Sequence, residues 1–283
     1  MKKLFLRTLK VLGVIFVLLY IVVCTLFYVY QEEYYIFPSQ KLEANFAFDF
    51  EGTFEEINLT MEDGVILNNL LFKADSSKGV ILYLHGNGGS LENWGGFASL
   101  YTDLNYDVFM VDYRGYGKSG GAYNNEDEIH QDIQTVYDEV KRRYPENQIT
   151  VLGYSLGSGL ATRLASNNSP NLLILLAPFY NLDDAGRHVI NTVDLLLFKL
   201  LRIIPTSWLN KYKFKSNDYI ENCSMPIVIF HGDEDELVYY GSSLKLKEHF
   251  KPKDRLITIE GAGHNNISEN DKFIREMGIL LRN

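Results

Sequence analysis

The chain has 283 residues, 46% of them apolar and 22% charged, which excludes a disordered protein and suits one domain of roughly 250 residues behind an N-terminal apolar segment. Net charge is −9, and four of the 27 basic residues (Lys2, Lys3, Arg7, Lys10) lie in an acid-free stretch of thirty, so the remainder carries 23 basic against 36 acidic groups, a net of −13. Such a surface repels polyanions, and no nucleic-acid partner is expected.

Val11 to Tyr30 is a twenty-residue run without charge. As a helix it reaches across about 30 Å of hydrocarbon. The bases precede it and Gln31-Glu32-Glu33 follow it, so the positive-inside rule predicts a single-pass signal anchor over residues 1–30, with a cytoplasmic N-terminus and the body on the extracytoplasmic side. The rival is a cleaved signal peptide, but no small-x-small site precedes Gln31. The residues before Cys24 (Ile21-Val22-Val23) are too bulky for a lipoprotein signal. Cys223 is then alone in the body, and an intradomain disulfide is excluded.

Residues 31–53 read as a juxtamembrane linker entering the domain. Phe54–Thr60 and Val65–Ala74 alternate around Glu62-Asp63-Gly64 and predict an antiparallel hairpin. Val80–Leu84 and Tyr106–Val111 read as buried strands, with a helix over Leu91–Leu104 between them. Glu126–Tyr144 has helical spacing at Ile129, Ile133, Val136, Tyr137 and Val140, acids in its first turn and bases in its last, and Pro145 stops it. Strands follow at Gln148–Leu152, Leu172–Leu176, Ile227–Phe230 and Leu256–Ile259, with helices over Leu156–Ala165, Ser242–Phe250 and Ser268–Leu281. A hairpin followed by alternating strands and helices predicts an α/β fold: a mostly parallel, eight-stranded sheet covered on both faces. Residues 181–218 break the alternation. Their apolar stretch Val193–Ile204 suggests a small helical cap that lines an acyl pocket or touches the membrane. Lys211, Lys213 and Lys215 are a candidate basic patch.

Gly153-Tyr154-Ser155-Leu156-Gly157 lies between a strand and a helix with a small-residue start, Gly159-Leu160-Ala161. A serine hydroxyl becomes a nucleophile when it stands clear of the backbone beside a base, and glycines two residues to either side relieve crowding in the sharp turn that exposes it. Ser155 is therefore the expected nucleophile. The base should sit late in the chain on a loop after a strand. His264, in Gly261-Ala262-Gly263-His264, fits best. His130 and His249 fall on predicted helices and read as surface residues; His188 falls in the cap. His85 and His231 end strands before a glycine, where a structural hydrogen bond is the default. The orienting acid lies in His231-Gly232-Asp233-Glu234-Asp235-Glu236, where spacing does not choose among four carboxylates. The N–H of Leu156 is one oxyanion donor. The loop His85-Gly86-Asn87-Gly88-Gly89 supplies the other, with Asn87 the better candidate. That loop lacks a following Lys-Ser/Thr pair, so it is a poor P-loop.

Together with Asp112-Tyr113-Arg114-Gly115-Tyr116-Gly117-Lys118-Ser119, these runs resemble the α/β-hydrolase superfamily across nearly all of residues 54–283, and within it the membrane-anchored branch with depalmitoylase-like members. The resemblance implies an α/β-hydrolase fold, a Ser-His-Asp serine hydrolase and no metal or cofactor. The family pattern His-Gly-x-x-Asp-x-x-Val falls on Asp235 as the triad acid. The expected substrate is a small-molecule or lipid-like acyl ester or thioester. A serine peptidase of the same fold and a catalytically silent lipid- or partner-binding protein are the alternatives.

Overall fold

A computed structural model describes residues 2–32, 36–192 and 209–282. Eight strands form one sheet: β1 (Thr53–Thr60), β2 (Ile66–Lys73), β3 (Val80–Leu84), β4 (Asp107–Val111), β5 (Ile149–Tyr154), β6 (Leu172–Leu176), β7 (Ile227–Gly232) and β8 (Arg255–Ile259). Their spatial order is β1-β2-β4-β3-β5-β6-β7-β8. The β1–β2 hairpin is antiparallel, as its turn chemistry predicts, and β2 is antiparallel to β4. Every pairing from β4 through β8 is parallel. The expected α/β-hydrolase architecture is the one found.

The helices are α1 (Lys2–Gln31), α2 (Glu126–Arg143), α3 (Leu156–Asn167), α4 (Leu182–Thr192), α5 (Gly241–Lys247) and α6 (Asp271–Arg282), with shorter turns between them. Strand alternation divides the core into two layers. Val80, Leu82 and Leu84 pack with Ile129, Ile133 and Val136 of α2 and Leu160 and Leu164 of α3. Ile81 and Tyr83 face the other way, toward the layer that holds Phe273 and Met277 of α6. The predicted helix over Leu91–Leu104 is instead broken into Leu91–Trp94, a 3-10 turn at Gly95–Phe97, and Ala98–Thr102. At Gly95 a Cβ would come within 2.4 Å of the Phe50 ring, so only a residue without a side chain lets the aromatic pack there.

Arg114 anchors the Asp112–Ser119 run. Its guanidinium is buried and reaches Asp132 of α2 at 2.6 Å and Asp63 of the hairpin turn at 2.5 Å. One side chain thus ties hairpin, loop and helix together. Lys211, Lys213 and Lys215 do not form a basic patch, since they lie beside Glu32 (2.8 Å), Asp183 (3.8 Å) and Asp218 (3.4 Å).

α1 is long and apolar enough to cross a membrane. The segment after it lies against the domain. Gln40 N–H donates to Gly89 O at 3.1 Å, Leu42 N–H to Gly117 O at 2.9 Å, and Gly117 N–H back to Gln40 O at 2.8 Å. Farther along, Phe48, Phe50, Phe54 and Phe72 form a continuous aromatic contact onto β2. In the expected cap region, α4 and the turn Ser216–Ile220 are described. The apolar stretch 193–204 lies outside the described residues.

Candidate active site

Parallel strands bring the loops at their C-terminal ends to one edge of the sheet. Ser155 follows β5 there with φ 50° and ψ −113°, in the left-handed half of backbone space that a non-glycine residue rarely occupies. Two features hold this strained turn. Ser155 N–H donates to Leu176 O at 2.9 Å, and Ser158 N–H donates to Ser155 O at 2.9 Å. The flanking glycines are obligatory for the crossing: a Cβ on Gly157 would lie 2.0 Å from Leu84 O, and one on Gly153 would lie 2.4 Å from Gly157 O. Strand and helix therefore approach more closely than any side chain permits, and the serine is pushed outward.

Asp235 and His264 meet although 29 residues separate them. His264 Nδ1 lies 2.7 Å from Asp235 Oδ2. The other carboxylate oxygen accepts the N–H groups of Leu237 at 2.9 Å and Val238 at 2.8 Å. Burial pushes the Asp235 carboxyl up, but hydrogen bonds from His231 and His264 outweigh it and hold the group below the usual carboxylate range. It is a buried anion satisfied on both oxygens. The loop carrying His264 is tied down in turn: Gly261 N–H donates to Asp233 at 2.7 Å and Glu234 N–H to Ala262 O at 3.1 Å. The hydroxyl of Tyr154, the residue before Ser155, donates to the backbone carbonyl of His264.

Residue reading alone missed the full part His231 takes. Its Nε2 faces Val238 O at 2.8 Å and Asp235 Oδ2 at 3.2 Å, and its Nδ1 faces Ser243 Oγ at 2.6 Å. A carbonyl only accepts, so Nε2 carries the proton, directs it to Val238 O and leaves its positive edge against the acid. The four-residue spacing from His231 to Asp235 was the available signal. Among the other histidines, His249 pairs with Glu221 at 2.7 Å. His188 stacks on Tyr239, with centroids 3.9 Å apart. His130 is half-buried beside Glu126 and Phe214 and is not a surface residue.

The loop after β3 has three of its carbonyls held by hydrogen-bond donors, one from the loop's own first residue and two from outside it. His85 Nδ1 reaches Gly86 O at 2.7 Å, Trp94 Nε1 reaches Gly88 O at 3.0 Å, and Gln40 N–H takes Gly89 O. A trans peptide directs its C=O and N–H oppositely. Pinning Gly86 O therefore aims the N–H of Asn87. The N–H of Leu156 is the first of α3 and has no acceptor within the helix. Asn87, Leu156 and Ser155 all line one cavity of about 230 Å³, whose other described walls are mostly apolar and include Phe179, Leu182, Leu237 and Val238. Cys223, buried and with its thiol pushed up to about 12 by burial, is not a competing nucleophile.

A strained serine at a glycine-flanked elbow, opening on an apolar cavity, defines the class of protein this is. Residues 75–220 match the family described as serine aminopeptidase, S33, and the chain belongs to that family of α/β-hydrolases and is a serine hydrolase. It is 32% identical to a lysophosphatidylserine lipase of Macaca fascicularis over 184 residues, covering 60% of this chain and 45% of that protein. It is 29% identical to alpha/beta hydrolase domain-containing protein 17C of Xenopus tropicalis over 208 residues, covering 71% and 61%. The chain thus spans about half the length of these relatives. In fold it is similar to the Pyrococcus furiosus esterase Pf2001, with a TM-score of 0.65 at 22% identity, covering 88% of this chain and 98% of that one.

Proposed function

We propose that the protein is a membrane-anchored lipid-ester hydrolase acting through Ser155, His264 and Asp235. The observation that carries this is the His264–Asp235 contact at 2.7 Å, on a loop whose His264 carbonyl is bonded by Tyr154, the residue before a serine held in a strained elbow. Ser155 Oγ attacks the acyl carbonyl while His264 takes its proton. Asp235 holds the imidazole tautomer and stabilises the imidazolium. The N–H groups of Asn87 and Leu156 receive the oxyanion. The alcohol or thiol leaves with the proton from His264, and an acyl-enzyme remains. Water then attacks, giving its proton to His264, and Ser155 departs with that proton.

An acyl substrate suits the apolar cavity, and the similarity to a lysophosphatidylserine lipase supports a lipid ester. The family description favours a second reading, an aminopeptidase. Recognition of a substrate amine calls for a carboxylate, and none of the described lining residues is charged. The charges flanking α1 support an extracytoplasmic domain.

One experiment tests these points. A membrane-impermeant fluorophosphonate should label Ser155 in intact cells expressing the full chain. Labelling only after lysis overturns the orientation, and no labelling overturns the mechanism. Ser155→Ala should abolish turnover of p-nitrophenyl esters, and hydrolysis of a peptide panel in preference to esters would support the aminopeptidase.

A further inference from the structure

The active-site cavity has a wall that does not belong to the hydrolase sheet or its loops. Phe27 and Gln31 of α1 and Ile36 just beyond it line the same space as Ser155. Phe27 and Gln31 are one turn apart and share a helix face. The end of α1 is fixed there by specific contacts. Gln31 is only 2% exposed although it terminates a helix whose apolar span is bare. Its side chain donates to Leu209 O at 3.0 Å and accepts from Lys211 N–H at 2.9 Å. Lys211 also pairs with Glu32 at 2.8 Å, and Phe37 packs edge-on against Tyr212 at 5.1 Å.

The depth of these residues matters. Phe27 lies in the last turn of the uncharged run that ends at Tyr30, so it sits where hydrocarbon gives way to headgroups if α1 spans a bilayer. A cavity reaching from Ser155 to Phe27 then joins the nucleophile to the membrane boundary. This is the level at which the ester carbonyl of a bilayer amphiphile resides, with its acyl chain below.

We infer that the C-terminal end of α1 and the residue Ile36 just beyond it are part of the substrate site: Phe27 and Ile36 hold the distal part of an acyl chain that enters from the leaflet beside the anchor. The anchor is then a specificity element as well as a tether. This deepens the proposed hydrolase reading and rests on it. Long-chain esters lose contact when the wall is cut back, and short ones that never reach it do not.

The test uses the full chain in nanodiscs of ether-linked phosphatidylcholine, which the enzyme cannot consume. Rates on p-nitrophenyl laurate and p-nitrophenyl butyrate are normalised to sites titrated with a fluorophosphonate. Phe27→Ala and Ile36→Ala should each lower the laurate-to-butyrate ratio of kcat/KM about tenfold. Phe27→Leu should restore it to within about threefold. Leu26→Ala, at a position 51% exposed on the same helix, should leave the ratio at the wild-type value. An unchanged ratio in Phe27→Ala, or an equal fall in Leu26→Ala, overturns the inference while leaving the hydrolase reading standing. A wild-type chain that neither labels nor turns over either ester overturns both.

Discussion

Asp235 Oδ2 lies 2.7 Å from His264 Nδ1, while its other oxygen is held by the Leu237 and Val238 N–H groups. The carboxylate is therefore fixed before it orients anything. An amide in its place offers an N–H where His264 needs an acceptor and favours the wrong tautomer. Asp235→Asn should lower kcat by about 10³- to 10⁴-fold with a small change in KM. Steady-state kinetics on a p-nitrophenyl ester measures this, and a loss below tenfold would show that another of the loop's carboxylates does the orienting.

The two parts of this pair were not equally legible in the sequence. His264 stood out because chain order and flanking glycines left it few rivals. Asp235 was one of four neighbouring carboxylates, and only a family resemblance singled it out. Ser155 was legible because its turn demands glycines, and the 2.0 Å clearance at Gly157 shows how strict that demand is. The strands were legible because burial on both faces leaves continuous apolar runs. In Leu91–Leu104 the reason for a glycine at 95 was hidden, because the Phe50 ring packed against it comes from forty-five residues upstream. Residues 36–52 carry no periodicity, since their attachment at Gly89 and Gly117 runs through backbone groups that any sequence possesses.

Acid should destabilise the fold through two carboxylates. For Asp235, burial pushes the pKa up, but bonds from His231 and His264 more than offset it. For Glu126, burial also pushes up, and bonds from His130 and the N–H groups of Lys213 and Phe214 pull down further. Both folded values lie below the ordinary ones of 3.8 and 4.5. Their stabilisation is thus complete above those values and is lost as pH falls through and below them. The melting temperature should fall from roughly pH 5 toward pH 3. Glu126→Gln should melt about 3–6 °C lower at pH 7 and show a shallower acid decline. Thermal scans across that range check it, and an acid slope identical to wild type would remove Glu126 from the account.

His85 offers the sharpest test of how the oxyanion loop is built. Its ring is fully buried against Tyr113 at 4.3 Å and Trp94 at 5.6 Å. Nδ1 points at Gly86 O at 2.7 Å, and since that oxygen only accepts, Nδ1 carries the proton. Nε2 faces Asp112 at 3.6 Å, beyond a hydrogen bond. The ring's polar contact is therefore with the peptide whose other end is the Asn87 N–H, a proposed oxyanion donor. Releasing Gly86 O frees that peptide to rotate, and a misdirected donor is worth up to about 10² in kcat. His85→Leu should lose most of that factor with KM little changed, because the loss falls on the transition state. His85→Asn keeps a donor close to the Nδ1 position and should recover to within about tenfold of wild type. Affinity for a trifluoromethyl ketone, which binds as a tetrahedral oxyanion, should fall in step with kcat/KM across the series. Equal losses in the Leu and Asn variants, or inhibitor affinity that does not follow kcat/KM, would reduce His85 to a packing residue.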